Sequence, residues 1–239
     1  ADKVAAVIGE PVQGAGGVII PPDTYWPEIQ RICDEYGILL ISDEVITGFG
    51  RLGDWFGADY YGFKPDLMPF AKGVTSGYLP LGGVLVGDRV ADVMIDKGGE
   101  FFHGYTYSGH PAACAVAIAN IRLIQEQGLV ERVKNDIGPF LQDRWAKLGE
   151  HPLVGETRMV GLMGALELVR DKETLERFPE KRGAGTVCRD IFVDNGLVLR
   201  AVGDTLVCAP PLVLRREEAD ELADKAWECL DLAAKALAN

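Results

Sequence analysis

The sequence predicts an α/β fold, with a mostly parallel sheet followed by a small α+β C-terminal domain. Three observations predict it. Strand-like and helix-like runs alternate from Val4 to Ile41. Short apolar runs then end repeatedly in polar, glycine-rich loops. Past residue 135 the chain turns to charged amphipathic helices around short strands. The expected ranges are therefore 1–135 for a large domain and 136–239 for a small one.

Each element has a local cause. Val4 to Ile8 is an apolar run of strand length, closed by Gly9-Glu10-Pro11. The loop Val12 to Gly17 has three glycines but neither a Lys-Ser/Thr nor GxGxxG spacing, which argues against a nucleotide loop. Pro21-Pro22-Asp23-Thr24 announces a helix. Trp26, Ile29, Ile32, Cys33 and Tyr36 give it one apolar face, and Gly37 ends it. Ile38 to Ile41 is a second apolar strand, so the segment reads as a βαβ unit with parallel strands. A glycine- and aromatic-rich loop, Gly48 to Tyr61, leads to strands at Asp66–Ala71 and Leu81–Val86. A short helix follows at Arg89–Lys97, then the aromatic loop Phe101–His110 and an alanine-rich helix opened by Pro111. Beyond it lie an amphipathic helix over Val130–Leu148 and a strand or strand pair over Val160–Val169. A helix at Gly185–Asn195, strands at Leu197–Arg200 and Thr205–Ala209, and a last helix at Arg216–Leu237 complete the chain.

Composition bounds the function. The 239 residues are 48% hydrophobic and 25% charged, which suits a globular chain of one or two domains. Net charge is −12 with no basic run, a poor match to nucleic acid or an anionic membrane. Five cysteines, none in a CxxC pair, and three histidines give no expected metal site. They suit a reducing compartment, and cytoplasmic localisation is expected. No apolar run reaches the roughly 18 residues of a membrane span. The chain opens almost in mid-strand, without leader or initiator methionine, and is expected to be part of a longer one.

Two residues stand where chemistry would be expected. Asp43 follows the strand 38–41 and Lys72 follows the strand 66–71. Ligands of parallel sheets collect at such C-terminal strand ends. Lys72 reads either as a solvated surface charge or as an amine facing a cleft, able to attack a carbonyl. Asp43 reads either as a helix N-cap or as a functional carboxylate. An amine and a carboxylate on one sheet edge suit a cofactor that is both anionic and electrophilic, such as pyridoxal phosphate.

Several motifs in order carry a resemblance. They are Gly9-Glu10-Pro11-Val12-Gln13-Gly14, Ser42-Asp43-Glu44-Val45-Ile46-Thr47-Gly48-Phe49-Gly50-Arg51, Ala71-Lys72-Gly73 and Thr106-Tyr107-Ser108-Gly109-His110-Pro111. With them the chain resembles the class III aminotransferases of fold-type I. Arg200 to Asp204 and Ala209 to Leu212 look most like the ω-amine:pyruvate branch. Ile46 stands where many members have glutamine, which also favours that branch.

The resemblance implies the pyridoxal-phosphate-dependent transferase fold, with the large domain incomplete. It implies pyridoxal 5'-phosphate held by Lys72 as a Schiff base, with Asp43 on the pyridine nitrogen and Val45 against the ring. Thr106 would reach the cofactor phosphate of a neighbouring subunit, which implies a homodimer or higher homo-oligomer. Arg200 would grip substrate carboxylates, and Glu10 resembles a glutamate that pairs with such an arginine in related branches. Val45 and Thr106 also read as plain packing and loop residues, and Arg200 as an exposed arginine. The implied activity is transfer of an amino group from an ω-amino acid, diamine or other amine to pyruvate in a ping-pong cycle. Other class III chemistry (aminomutase, racemase, decarboxylase) stays open, as does an inactive fragment that keeps the fold. The family's N-terminal portion, with its phosphate loop, is absent from the 239 residues, so the segment alone is expected to be poorly stable and inactive.

Overall fold

A computed structural model describes residues 3–179, 181 and 183–238; residues 1, 2, 180, 182 and 239 lie outside the described ones. The chain forms two compact units. The first comprises Ala1–Val12 and Pro21–Val130, the second Gln13–Ile20 and Glu131–Asn239. The changeover therefore falls at Val130/Glu131 rather than at 135/136. The glycine-rich stretch Gln13–Ile20, expected in the large domain, belongs to the second unit.

The first unit is built on strands β1 (Ala6–Gly9), β2 (Leu39–Ser42), β3 (Leu67–Phe70) and β4 (Gly83–Val86), in that spatial order. β1, β2 and β3 are parallel, and β4 runs antiparallel to β3. Helix α1 (Tyr25–Tyr36) makes the crossover from β1 to β2. It stops at Gly37, whose φ of 64° is the left-handed conformation that glycine adopts without strain. Its buried face carries Trp26 and Cys33. Trp26 stacks on Phe63 with ring centroids 4.4 Å apart, and its indole N–H donates to the Pro11 carbonyl at 3.1 Å. Burial of each such side chain stabilises by about 1.5–3 kcal/mol. Helices α2 (Gly57–Tyr61), α3 (Asp88–Lys97) and α4 (Pro111–Glu126) complete the unit. The three apolar residues of β4, Val84, Leu85 and Val86, are all exposed, as are Ile95, Phe102 and Tyr105.

Across the changeover runs α5 (Leu129–Arg132), then a π turn (Val133–Ile137) and α6 (Gly138–Lys147). The sequence predicts one continuous helix here. The widened turn has a local cause: Pro139 has no N–H to give to the preceding turn, and Gly138 closes the wider ring by donating to the Val133 carbonyl.

The second unit holds β5 (Val154–Val160), β6 (Met163–Leu168), β7 (Arg200–Val202) and β8 (Thr205–Cys208), in the antiparallel order β5-β6-β8-β7. The strand or strand pair expected over 160–169 is a hairpin that starts earlier, turning at Gly161 with φ 52°. Helices α7 (Ala184–Asp194) and α8 (Arg216–Leu237) pack with α6 around a core that includes Trp145, Leu166, Phe192, Leu206 and Leu230. The Trp145 indole N–H finds the Ala165 carbonyl at 3.1 Å, so the largest core ring leaves no polar group unpaired.

Candidate active site

Three neighbouring parallel strands, β1, β2 and β3, deliver Glu10, Asp43 and Lys72 to one edge of the first unit's sheet. Asp43 directly follows β2. Its N–H donates to the Gly9 carbonyl at 2.8 Å, and the next N–H, of Glu44, donates to the Pro69 carbonyl at 2.9 Å. The Asp43–Glu44 step is thus fastened to the strands on both sides. Asp43 Oδ1 accepts the Val45 N–H at 3.1 Å, which closes a turn over the half-buried Val45. The carboxylate caps this turn rather than a helix.

Glu44 fixes the loop that follows. It is completely buried, and its two oxygens accept four hydrogen bonds. Oε1 takes the Ser42 hydroxyl at 3.0 Å and the Ala58 N–H at 2.7 Å. Oε2 takes the Thr47 hydroxyl at 2.6 Å and the Gly57 N–H at 2.8 Å. A buried carboxylate is tolerated only when satisfied in this way. It also places its negative charge at the first N–H groups of α2.

Lys72 opens a 3₁₀ turn, Lys72–Thr75, just beyond β3. It is exposed, with φ at 42°. A non-glycine residue in that region is strained by about 1–3 kcal/mol, and such strain clusters at functional sites. Gly73 lies so close to the Gly48 carbonyl and the Phe49 Cβ that an added Cβ would sit 3.2 Å from each. The lysine turn and the glycine-aromatic loop are therefore packed backbone to backbone. Phe49 meets Phe56 and Phe70 edge-on at 5.6 and 5.8 Å.

Glu10 is half-buried just after β1. Thr106 lies exposed in the segment between α3 and α4 of the same unit. Arg200 is exposed at the start of β7, in the second unit. The first unit thus brings Glu10, Asp43, Val45 and Lys72 onto one sheet edge, while Arg200 stands on the other unit's sheet.

The donor set fits the ring end of pyridoxal phosphate. An amine and a carboxylate sit on adjacent strand ends, with a branched apolar side chain beside the carboxylate. The described residues include no cluster of His, Cys, Asp and Glu placed to hold a metal ion.

Residues 1–230 match the family described as Aminotransferase class-III. The chain belongs to this family. Class III aminotransferases depend on pyridoxal phosphate. The chain is 57% identical over 236 residues to the putrescine–pyruvate aminotransferase of Pseudomonas aeruginosa, covering 99% of this chain and 51% of that protein. It is 46% identical over 224 residues to the mitochondrial gamma aminobutyrate transaminase 1 of Solanum lycopersicum, covering 92% and 43%. A thermostable (S)-enantioselective omega-transaminase from Thermomicrobium roseum is similar in structure, with TM-score 0.92 at 47% identity over 97% of this chain and 52% of that one. The chain spans about half the length of the curated relatives it matches. Among the described residues no helix is long and apolar enough to cross a membrane.

Sequence reading missed the residues that hold the loops of this class III chain. Glu44 is one. Arg158 on β5 is another: its Nε and Nη2 donate to the carbonyls of Val18 and Gly17 at 3.2 and 3.0 Å. Its Nη1 pairs with Glu156 at 2.6 Å and Glu167 at 2.7 Å. That clamp joins Gln13–Ile20 to the second unit and holds Val18 at φ 55°, a conformation a β-branched residue rarely takes. The Gly14-Gly16-Gly17 cluster is thus a site where carbonyls meet an arginine. A sequence signal did exist, since an arginine two residues after an acid on a strand, with a second acid on the paired strand, asks for an ion-pair network.

Proposed function

We propose that the complete protein is a transaminase that moves an amino group from a diamine, ω-amino acid or other amine to pyruvate in a ping-pong cycle. One observation carries this reading: Asp43 and Lys72 follow adjacent parallel strands and stand on the same sheet edge. The choice of pyruvate rests on the 57% identity to a putrescine–pyruvate aminotransferase.

When bound, pyridoxal phosphate supplies an electron-withdrawing ring that makes a proton on the substrate's amine-bearing carbon removable. Lys72 would supply the amine that holds the cofactor, and its Nζ, once displaced, would be the base that takes that proton and delivers it to the cofactor side rather than back to the same carbon. The Asp43 carboxylate would accept a hydrogen bond from the ring nitrogen and so favour the protonated ring. Its grip on the Val45 N–H at 3.1 Å fixes its orientation and sets Val45 beside it, where the branched side chain would pack on the ring. In a homodimer Thr106 would donate its hydroxyl to the cofactor phosphate of the neighbouring subunit. Arg200 grips the pyruvate carboxylate with two parallel hydrogen bonds, which a guanidinium makes better than an ammonium. Glu10 adds a carboxylate to substrate binding. The five free cysteines suit a reducing compartment such as the cytoplasm.

A second reading concerns this segment alone. The bare residues of β4 and the share of the relatives' length that is covered favour a 239-residue polypeptide that is inactive without the rest of the protein. The full-length protein, given putrescine and either pyruvate or 2-oxoglutarate, is expected to form alanine and consume the diamine. Glutamate without alanine would overturn the choice of pyruvate. Diamine consumption without any acceptor would favour aminomutase-type chemistry.

A further inference from the structure

We propose that Asn120, on α4, is a positioning residue that holds the Lys72 turn in the conformation from which the lysine acts. The proposal rests on the reading of Lys72 given above.

The turn needs an outside support. A 3₁₀ turn of four residues leaves its last carbonyls without partners in the turn. Its flanking residues close the two ends: Val74 N–H donates to the Ala71 carbonyl at 3.2 Å, and Ser76 N–H to the Gly73 carbonyl at 3.3 Å. Lys72 and Ser76 are both held at positive φ, 42° and 49°, and Gly77 follows at 78°. Two strained non-glycine residues within five positions relax unless neighbouring groups fix them.

Asn120 provides that fixation with its whole amide. Nδ2 donates to the Gly73 carbonyl at 2.9 Å and the Val74 carbonyl at 3.1 Å. Oδ1 accepts the Ser76 hydroxyl at 2.7 Å. Two carbonyls and one hydroxyl assign the amide's orientation without ambiguity. The sequence context agrees. Asn120 sits in the helix AACAVAIANI, where alanine would be the better helix former. A half-buried asparagine there is explained by what it reaches, one to four residues past Lys72.

The turn has other supports, among them the packing of Gly73 against Gly48 and Phe49. Thr75 Oγ1 donates to the Leu79 carbonyl at 2.6 Å, and Val74 and Thr75 are buried. Among the described residues, Asn120 is the side chain that hydrogen-bonds the carbonyls immediately after Lys72. Without it the turn has freedom to relax toward ordinary φ, and the lysine amine moves with it.

The test uses the full-length protein and its Asn120→Ala and Asn120→Asp variants. Asn120→Asp keeps the volume but sets carboxylate oxygens against two carbonyls, and it serves if Asn120→Ala does not fold. Each protein is incubated with pyridoxal 5'-phosphate and borohydride, and modification at Lys72 is followed over time by peptide mass mapping. Steady-state kinetics and thermal midpoints are measured in parallel. The expected result is about 10-fold slower modification at Lys72, a matching loss in kcat and little change in amine KM, since small misplacements of a reacting group cost rate steeply. A lowered thermal midpoint with unchanged Lys72 modification and kcat in the folded protein would overturn the proposal and make Asn120 purely structural. Absence of Lys72 modification in the wild type would overturn the parent reading instead.

Discussion

The second unit gathers Trp145, Leu166, Phe192, Leu206 and Leu230 into one large buried cluster with residues from its helices and strands, whereas a described first-unit cluster is the small group Trp26, Cys33, Leu40, Ala58 and Phe63. The polar residues divide the other way. Of the described buried polar side chains, Ser42, Glu44, Thr47 and Thr75 lie in the first unit and only His151 in the second. The second unit is held by apolar packing, which is strong but indifferent to direction. The first unit is held around Asp43 and Lys72 by directed hydrogen bonds: Glu44 on the loop after β2, and Asn120 on the turn after β3. Directed bonds fix where a strand end points, which is what a constellation of reacting side chains needs.

The largest effect that would sharpen this contrast is expected at Glu44. Glu44→Gln keeps the size but replaces one oxygen by an NH2. That group faces a backbone N–H, of Gly57 or Ala58, which cannot turn away to accept. The expected loss is about 2–4 kcal/mol, from an unsatisfied buried donor and the lost charge-assisted bonds. Hydrogen exchange should show it: faster exchange at Gly57, Ala58 and the loop after β2, with protection around Leu166 and Leu206 unchanged. Equal loss of protection in both units would break the contrast.

A smaller effect is expected at His151, the second unit's one described buried polar side chain. Its Nδ1 accepts the Leu153 N–H at 3.1 Å, so the proton of the neutral ring sits on Nε2, 3.3 Å from Asp231 Oδ1. Trp227 packs edge-on at 5.2 Å, and Lys172 Nζ donates to the His151 carbonyl at 3.2 Å. Burial lowers the imidazole pKa and outweighs the opposing pull of Asp231, while Lys172 lowers it further. A histidine whose folded pKa is lowered favours the neutral form. Its contribution is therefore present above the unfolded value, about 6.5, and is lost as pH falls below it. The thermal midpoint of the wild type should drop more steeply below that pH than that of His151→Gln. Parallel curves would show that this ring has no part in acid sensitivity.

Much of this was legible in sequence because it is local. Helix α8 occupies the predicted Arg216–Leu237, and α1 ends at the predicted Gly37, since periodicity and caps act within a few residues. The sheet edge carrying Asp43 and Lys72 followed from the βαβ pattern. The illegible parts are long-range. Arg158 meets Gly17 and Val18 from a strand far along the chain, so nothing around Gln13–Ile20 announces its transfer to the second unit. Asn120 looks like an ordinary helix residue until the Lys72 turn is beside it. Glu44 reads as one letter of a motif, although four hydrogen bonds converge on it. The π turn at Val133–Ile137 lay inside a smooth amphipathic pattern, and only Gly138-Pro139 marked it.

The central claim is that Lys72 is the amine that holds the cofactor. Full-length protein loaded with pyridoxal 5'-phosphate, reduced with borohydride and digested, tests it most directly. The account predicts a reduced pyridoxyl phosphate group on the peptide containing Lys72, absent in Lys72→Ala. Modification fixed on another lysine, with the Lys72 peptide unmodified, would contradict it.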